Sequence, residues 1–72
     1  MKKRFQLEDL DCANCAAKME EAIKKLDGVN DAVVSFMAKT LTIDADDDKF
    51  DKVVKAAVKC IKKVDSDCTV IL

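Results

Sequence analysis

The chain has 72 residues, half of them apolar and 38% charged, with 13 Lys and Arg against 14 Asp and Glu for a net charge of −1. That length fits one soluble domain over residues 1–72, near the lower size limit for an independently stable core, and the composition is globular, not disordered. Nucleic acid is a poor partner for a chain with no basic stretch beyond Lys2-Lys3-Arg4; the longest apolar runs, Ala32-Val33-Val34 and Val70-Ile71-Leu72, fall far short of the ~18–20 residues needed to cross a bilayer, and no signal-peptide core follows the basic start.

In chain order, Phe5 and Leu7 alternate with Arg4, Gln6 and Glu8, the period of two that predicts a half-buried strand at about residues 3–9. From Cys15 the apolar positions become Met19, Ala22, Ile23 and Leu26, one face of a helix whose other face carries Lys18, Glu20, Glu21, Lys24 and Lys25. Asp27-Gly28 is expected to end it, because glycine takes the left-handed conformation without steric penalty. Val29 to Met37 and Lys39 to Ala45 are rich in β-branched residues and read as a hairpin; the turn near Ala38-Lys39 lacks glycine, which leaves its type open. A second amphipathic helix follows on Phe50, Val53, Val54, Ala57, Val58, Ile61 and Val64. Asp48 is its expected N-cap, and the acidic run 46–48 suits a positive helix N-terminus. Cys68 to Leu72 closes the chain as a strand.

This order predicts an α+β fold, the ferredoxin-like βαββαβ sandwich: a four-stranded antiparallel sheet with both helices on one face. Within it, Cys12 and Cys15 fall where the first strand gives way to the first helix. Their spacing lets both sulfurs point at one small region, and the helix N-terminus favours thiolate, the form that binds metal. The chain has no histidine, so a metal must take sulfur and oxygen, and nucleophile–histidine chemistry is excluded. Two thiolates suit linear Cu(I), whereas Zn(II) and Cd(II) want about four donors and accept carboxylate beside sulfur. Asp11, immediately before the pair, is therefore a candidate third ligand and tilts the reading toward Zn, Cd or Pb. Asp9, Asp65, Asp67 or water are available to complete the shell.

Other readings of the four cysteines are weaker. A disulfide framework has no secretory context to support it. A thioredoxin-type dithiol oxidoreductase would be expected on a larger fold, with the aromatic and proline neighbours that a chain without Trp or Pro cannot supply. A structural site would need Cys60 and Cys68 to converge on the first pair. Instead Cys60 flanks the apolar face of the second helix and Cys68 shares strand parity with Val70 and Leu72, so both are read as core or near-core. Leu10 and Met19 are read as packing residues.

The segment Leu10-Asp11-Cys12-Ala13-Asn14-Cys15-Ala16-Ala17-Lys18-Met19, followed by Leu26-Asp27-Gly28-Val29, resembles the heavy-metal-associated domains of metal-transporting P-type ATPases and soluble metallochaperones, over essentially the whole chain. Copper-handling members usually carry Met-Thr before the first cysteine and Gly-Tyr in the second helix–strand loop. Here those places hold Leu10-Asp11 and lie within Val64-Asp65-Ser66-Asp67. The resemblance thus implies the N-terminal domain of a Zn/Cd/Pb-exporting ATPase, with Cys12, Cys15 and Asp11 as ligands to one heavy-metal ion. A membrane-embedded metal-transporting ATPase would be its partner, in the same chain or another, on the cytoplasmic side. A cytosolic Cu(I) metallochaperone is the alternative. The chain is expected to be monomeric and, with no membrane helix, phosphorylation domain or nucleotide site in 72 residues, not itself an enzyme.

Overall fold

Alternation along the strands and 3.6-residue periodicity along the helices resolve, in the computed structural model of residues 1–72, into β1 (Lys2–Glu8), α1 (Ala13–Lys24), β2 (Val29–Ser35), β3 (Thr40–Ala45), α2 (Phe50–Val64) and β4 (Thr69–Ile71). The sheet order is β2-β3-β1-β4, with every neighbouring pair antiparallel, which is the expected ferredoxin-like sandwich. Each strand turns alternate residues inward: Phe5 and Leu7 from β1, Ala32 from β2, Leu41, Ile43 and Ala45 from β3 and Val70 from β4 are buried. Ala16, Met19 and Ile23 of α1 and Phe50, Val53, Ala57 and Ile61 of α2 cover that face. No charged or polar side chain is buried with them.

Several element ends differ from the sequence expectation. β1 stops at Glu8 because Asp9 adopts φ +61° and turns the chain out of the sheet. α1 ends at Lys24, with Lys25 as C-cap; Leu26 lies beyond the helix yet packs half-buried on the core, and Gly28 takes the left-handed conformation at φ +91°. The residue capping α2 is Lys49, without a side-chain hydrogen bond, and not Asp48. A turn intervenes, in which the Lys49 N–H donates to the Asp46 carbonyl at 3.0 Å. The acidic run serves other groups: Asp46 accepts from the Asn30 amide at 3.3 Å, and Asp47 pairs with the N-terminal ammonium at 3.1 Å. Asp51 is the acid that occupies the first turn.

The free edge of β2 is closed by carboxylates. Glu20 on α1 accepts from the Val34 N–H at 3.0 Å, and Asp31 accepts from the Ala32 N–H at 2.9 Å. These N–H groups have no strand beyond them, and occupying them blunts the edge against pairing with another chain.

Three loops meet at one end of the molecule. β1 is central, so the loop after it lies between its neighbours. On one side the Leu7 N–H donates to the Lys39 carbonyl at 2.8 Å, bringing the β2–β3 turn alongside. On the other, Glu8 pairs with Thr69 at the start of β4, bringing in the α2–β4 connection.

Two expectations follow. A Cβ at Gly28 would stand 3.0 Å from Lys49 Cδ and 3.4 Å from Val53 Cγ2, besides straining a left-handed backbone, so Gly28→Ala should lower stability by roughly 1–2 kcal/mol in a urea melt. Because the core is apolar and complete without the cysteine loop's outer face, the reduced protein should keep its native circular dichroism in excess chelator; a random-coil spectrum would show that metal is needed for folding.

Candidate metal centre

The chain leaves β1 at Glu8, turns at Asp9 and drives Leu10 into the core, where it is only 1% exposed. That anchors the loop from beneath and leaves Asp11 exposed on its rim. Cys12 follows in extended conformation, φ −127° and ψ 117°, as the N-cap of α1. Its carbonyl accepts from the Ala16 N–H at 3.1 Å, the first helical bond. Its sulfur accepts from the Cys15 N–H at 3.2 Å. This is the place usually taken by a serine or aspartate oxygen. Ala16, behind the pair, is buried, while Cys12 and Cys15 are half-exposed. The two thiols thus sit together on a fixed floor with an open outer side.

The electrostatics separate the two sulfurs. Cys12 titrates below the ordinary thiol value, first because the Cys15 side chain donates to its sulfur, then because the Cys15 N–H does the same; the Asn14 N–H and the Lys18 ammonium add to this against some desolvation. Cys15 titrates above it, first because it holds the proton shared with Cys12, then through desolvation and repulsion from the Cys12 thiolate and Asp65. Cys12 therefore ionises first.

Of the other candidates, Cys68 is fully buried, and burial pushes its thiol up, with Asp65, Asp9 and Asp11 adding to the effect and Lys62 opposing it. Cys60 is half-buried against the core on α2. All four cysteines are free. Cys68 and Val70 share an inward parity as expected, but Leu72 is 81% exposed. Leu10 and Met19 are packing residues. Asp65, the C-cap of α2, is tied to the Asp67 N–H at 3.0 Å. The structure brings Cys12 and Cys15 together and does not gather a third carboxylate or thiol with them: no group of three or more Cys, Asp or Glu side chains is clustered closely enough to hold a metal ion. The largest concavity, about 510 Å³ on the open face of the sheet between Lys2, Arg4, Asp31 and Thr42, shares no residue with the cysteine loop.

Sequence reasoning missed Lys39. It adopts φ +57° in the β2–β3 turn, its ammonium donates to the Leu10 carbonyl, and it lies 4.1 Å from the centre of the Phe36 ring. The only signal was a tight turn without glycine.

A family described as the heavy-metal-associated domain matches residues 4–66. The cadmium, zinc and cobalt-transporting ATPase of Bacillus subtilis is 39% identical over 70 residues, which is 97% of this chain and 10% of that protein. Among solved structures, the CopZ metallochaperone superposes with a TM-score of 0.76 at 24% identity, covering 99% of this chain and all of the other. The N-terminal domain of a potential copper-translocating P-type ATPase from Bacillus subtilis, in its Cu(I)-loaded state, does so with a TM-score of 0.73 at 27% identity, covering 96% and 84%. The chain spans about a tenth of the curated relative's length. No helix is long and apolar enough to cross a membrane.

The thiol geometry sets an order of reactivity. In the reduced, metal-free protein at neutral pH, iodoacetamide should modify Cys12 first and Cys68 last, since the thiolate is the nucleophile. The advantage of Cys12 over Cys15 should shrink as pH rises through the ordinary thiol value and both become ionised. Peptide mapping over a time course reads this directly, and equal rates at Cys12 and Cys15 near neutrality would contradict the hydrogen-bonded arrangement.

Proposed function

Because the chain belongs to the heavy-metal-associated domain family, we propose that it captures one Zn(II), Cd(II) or Pb(II) ion through Cys12 and Cys15, with Asp11 as third ligand, and delivers it to, or regulates, a metal-exporting P-type ATPase. A heavy-metal-associated domain is a binding unit and is not itself catalytic, so the ion is cargo. The observation that carries the reading is the Cys12–Cys15 pair, two half-exposed thiols sharing hydrogen bonds at a helix N-terminus with an open outer side. The B. subtilis cadmium, zinc and cobalt-transporting ATPase supports the divalent class and the transporter partner. That partner, in the same chain or another, would present its ligands on the cytosolic face of the membrane.

Binding proceeds from the charge order of the thiols. Cys12, the more readily ionised of the two thiols, meets the ion first; coordination then displaces the proton from Cys15, as metal binding to thiols requires. Asp11 is adjacent in sequence and exposed, so it ligates by turning its carboxylate toward the pair once the ion is there. Handover is the reverse process at the open side: an incoming thiolate or carboxylate of the transporter joins the shell before Asp11 and the cysteines leave in turn. Water or Asp65, which acts electrostatically on Cys15, is available for the remaining position of a four-donor ion.

A copper reading has its own support. Only two sulfurs are gathered, which suits linear Cu(I), and a Cu(I)-loaded domain is among the structures this chain resembles. Competition titrations of the reduced protein with Zn(II), Cd(II), Pb(II) and Cu(I), repeated for Asp11→Ala, separate the two. The divalent reading predicts one site whose Zn(II) and Cd(II) affinities fall by about tenfold or more in the variant, the scale of one lost charged ligand. Selective Cu(I) binding that ignores Asp11 would replace it with the chaperone reading.

A further inference from the structure

We infer that Lys39 is a positioning residue for the cysteine site: from the β2–β3 turn, its ammonium grips the Leu10 carbonyl and holds the loop of residues 9–12 in the conformation that seats the Cys12 sulfur on the N-terminus of α1. This rests on the reading of Cys12 and Cys15 as the metal-binding pair.

The first observation is conformational. Lys39 holds φ +57°, a region that is strained for a side-chain-bearing residue and that glycine occupies freely. A turn that needed only the backbone geometry would be better served by glycine, so the lysine side chain has to account for its presence. The second observation is where that side chain goes. Instead of extending into solvent, as most lysines do, it is half-buried, lies over the Phe36 ring at 4.1 Å and donates to the carbonyl of Leu10, 29 residues away in sequence. A charge-assisted hydrogen bond at a partly buried carbonyl is among the stronger contacts a lysine can make, and the aromatic face keeps the ammonium from straying. The third observation is that the backbone of the same residue is also engaged: the Lys39 carbonyl accepts from the Leu7 N–H at 2.8 Å. Lys39 thus clamps the end of β1 with its backbone and the following loop with its side chain.

The loop needs this. Between the Glu8–Thr69 pairing and the Cys12 cap of α1 it contains Asp9 in a left-handed conformation, and Leu10, whose side chain is buried in the core, is its other anchor. Leu10 is two residues before Cys12. With its side chain fixed below and its carbonyl fixed from the hairpin, the peptide leading to Cys12 loses the freedom that would let the sulfur swing off the helix N-terminus. Such preorganisation lowers the ordering cost of binding and appears mainly in how slowly the ion leaves.

The test compares wild type with Lys39→Gly, which keeps the left-handed turn without steric cost but removes the ammonium, and Lys39→Arg, which restores a cationic donor. In the metal-free protein, loop exchange, read at the Cys15 and Ala16 N–H groups that donate to the sulfur and carbonyl of Cys12, should be about tenfold faster in Lys39→Gly, the scale of one charge-assisted hydrogen bond, and should return most of the way in Lys39→Arg. In the Cd(II)-loaded protein, Lys39→Gly should release the ion to chelator about tenfold faster, with an altered thiolate-to-Cd(II) charge-transfer band, again recovered by arginine. Unchanged loop exchange in Lys39→Gly overturns the proposal, and so does a general loss of stability that arginine does not restore, which would make Lys39 a fold residue only. Faster loop exchange in a protein whose wild type shows no charge-transfer band would uphold Lys39 as the clamp while refuting the metal-binding reading of the pair.

Discussion

The first N–H groups of a helix have no acceptor within it, and in α1 the Cys15 N–H is met by the Cys12 sulfur at 3.2 Å. The chemistry of the site depends on this contact. It fixes the spacing of the pair and makes the sulfur of Cys12 an acceptor, so that the anionic form is the one the backbone stabilises. It also leaves Cys15 one turn into the helix, holding the proton. A serine in place of Cys12 would cap α1 at least as well, but it would not supply a soft donor. On the proposed reading, a structural requirement of the helix and a chemical requirement of the metal would be met at this junction by one atom.

The position of that contact matters as much as its geometry. Leu10, immediately before the loop's exposed residues, and Ala16, immediately after the pair, are both buried, so the loop is bracketed by core while the sulfurs stand on its rim. The core itself is wholly apolar, and every buried side-chain nitrogen or oxygen is satisfied. Folding and ligation are therefore expected to be separable, because the apolar core closes without the cysteine sulfurs. In a structural zinc module the affinity for metal is folding free energy; on the proposed reading it would remain available here for exchange with another set of ligands. A domain that passes its ion on needs that separation, because a fold that collapsed on release would oppose the transfer.

Much of this was legible in the chain. The Phe5-Leu7 alternation, the Met19-Ile23 stripe and the Phe50-to-Val64 face fixed the order of elements, because period and element type are linked by backbone geometry alone. The Cys12–Cys15 spacing placed two thiols together at the strand–helix junction for the same reason. What escaped was decided by partners distant in sequence. Asp48 has the composition of an N-cap, but Asp46 and Asp47 are drawn to Asn30 and the N-terminus, and the extra turn moves the helix start to Phe50. Lys39 looked like an ordinary turn lysine, and its role depends on Leu10 across 29 residues. Leu26 fitted the helical stripe and does reach the core, but from beyond the helix. Asp11 sits beside the pair in sequence, yet an exposed rim carries no packing that would orient its side chain in advance.

The charge around the pair bears on which ion it suits. With Cys12 ionised and Cys15 protonated the two thiols carry one negative charge, and Lys18 favours ionisation of both. A monovalent ion on two thiolates leaves the complex with that same single charge and satisfies a two-coordinate centre. A divalent ion on two thiolates is neutral and still short of donors, so a carboxylate can join and restore the single negative charge. Asp65, which raises Cys15, and Asp9 and Asp11, which act on Cys68, place negative charge around this end of the molecule. Each carboxylate attracts a dication twice as strongly as a monocation at the same distance, and Lys18, Lys39 and Lys62 at the same end repel it twice as strongly. Two sulfurs alone are compatible with either ion, and under the proposed reading it is the Asp11 carboxylate that would give the dication the advantage.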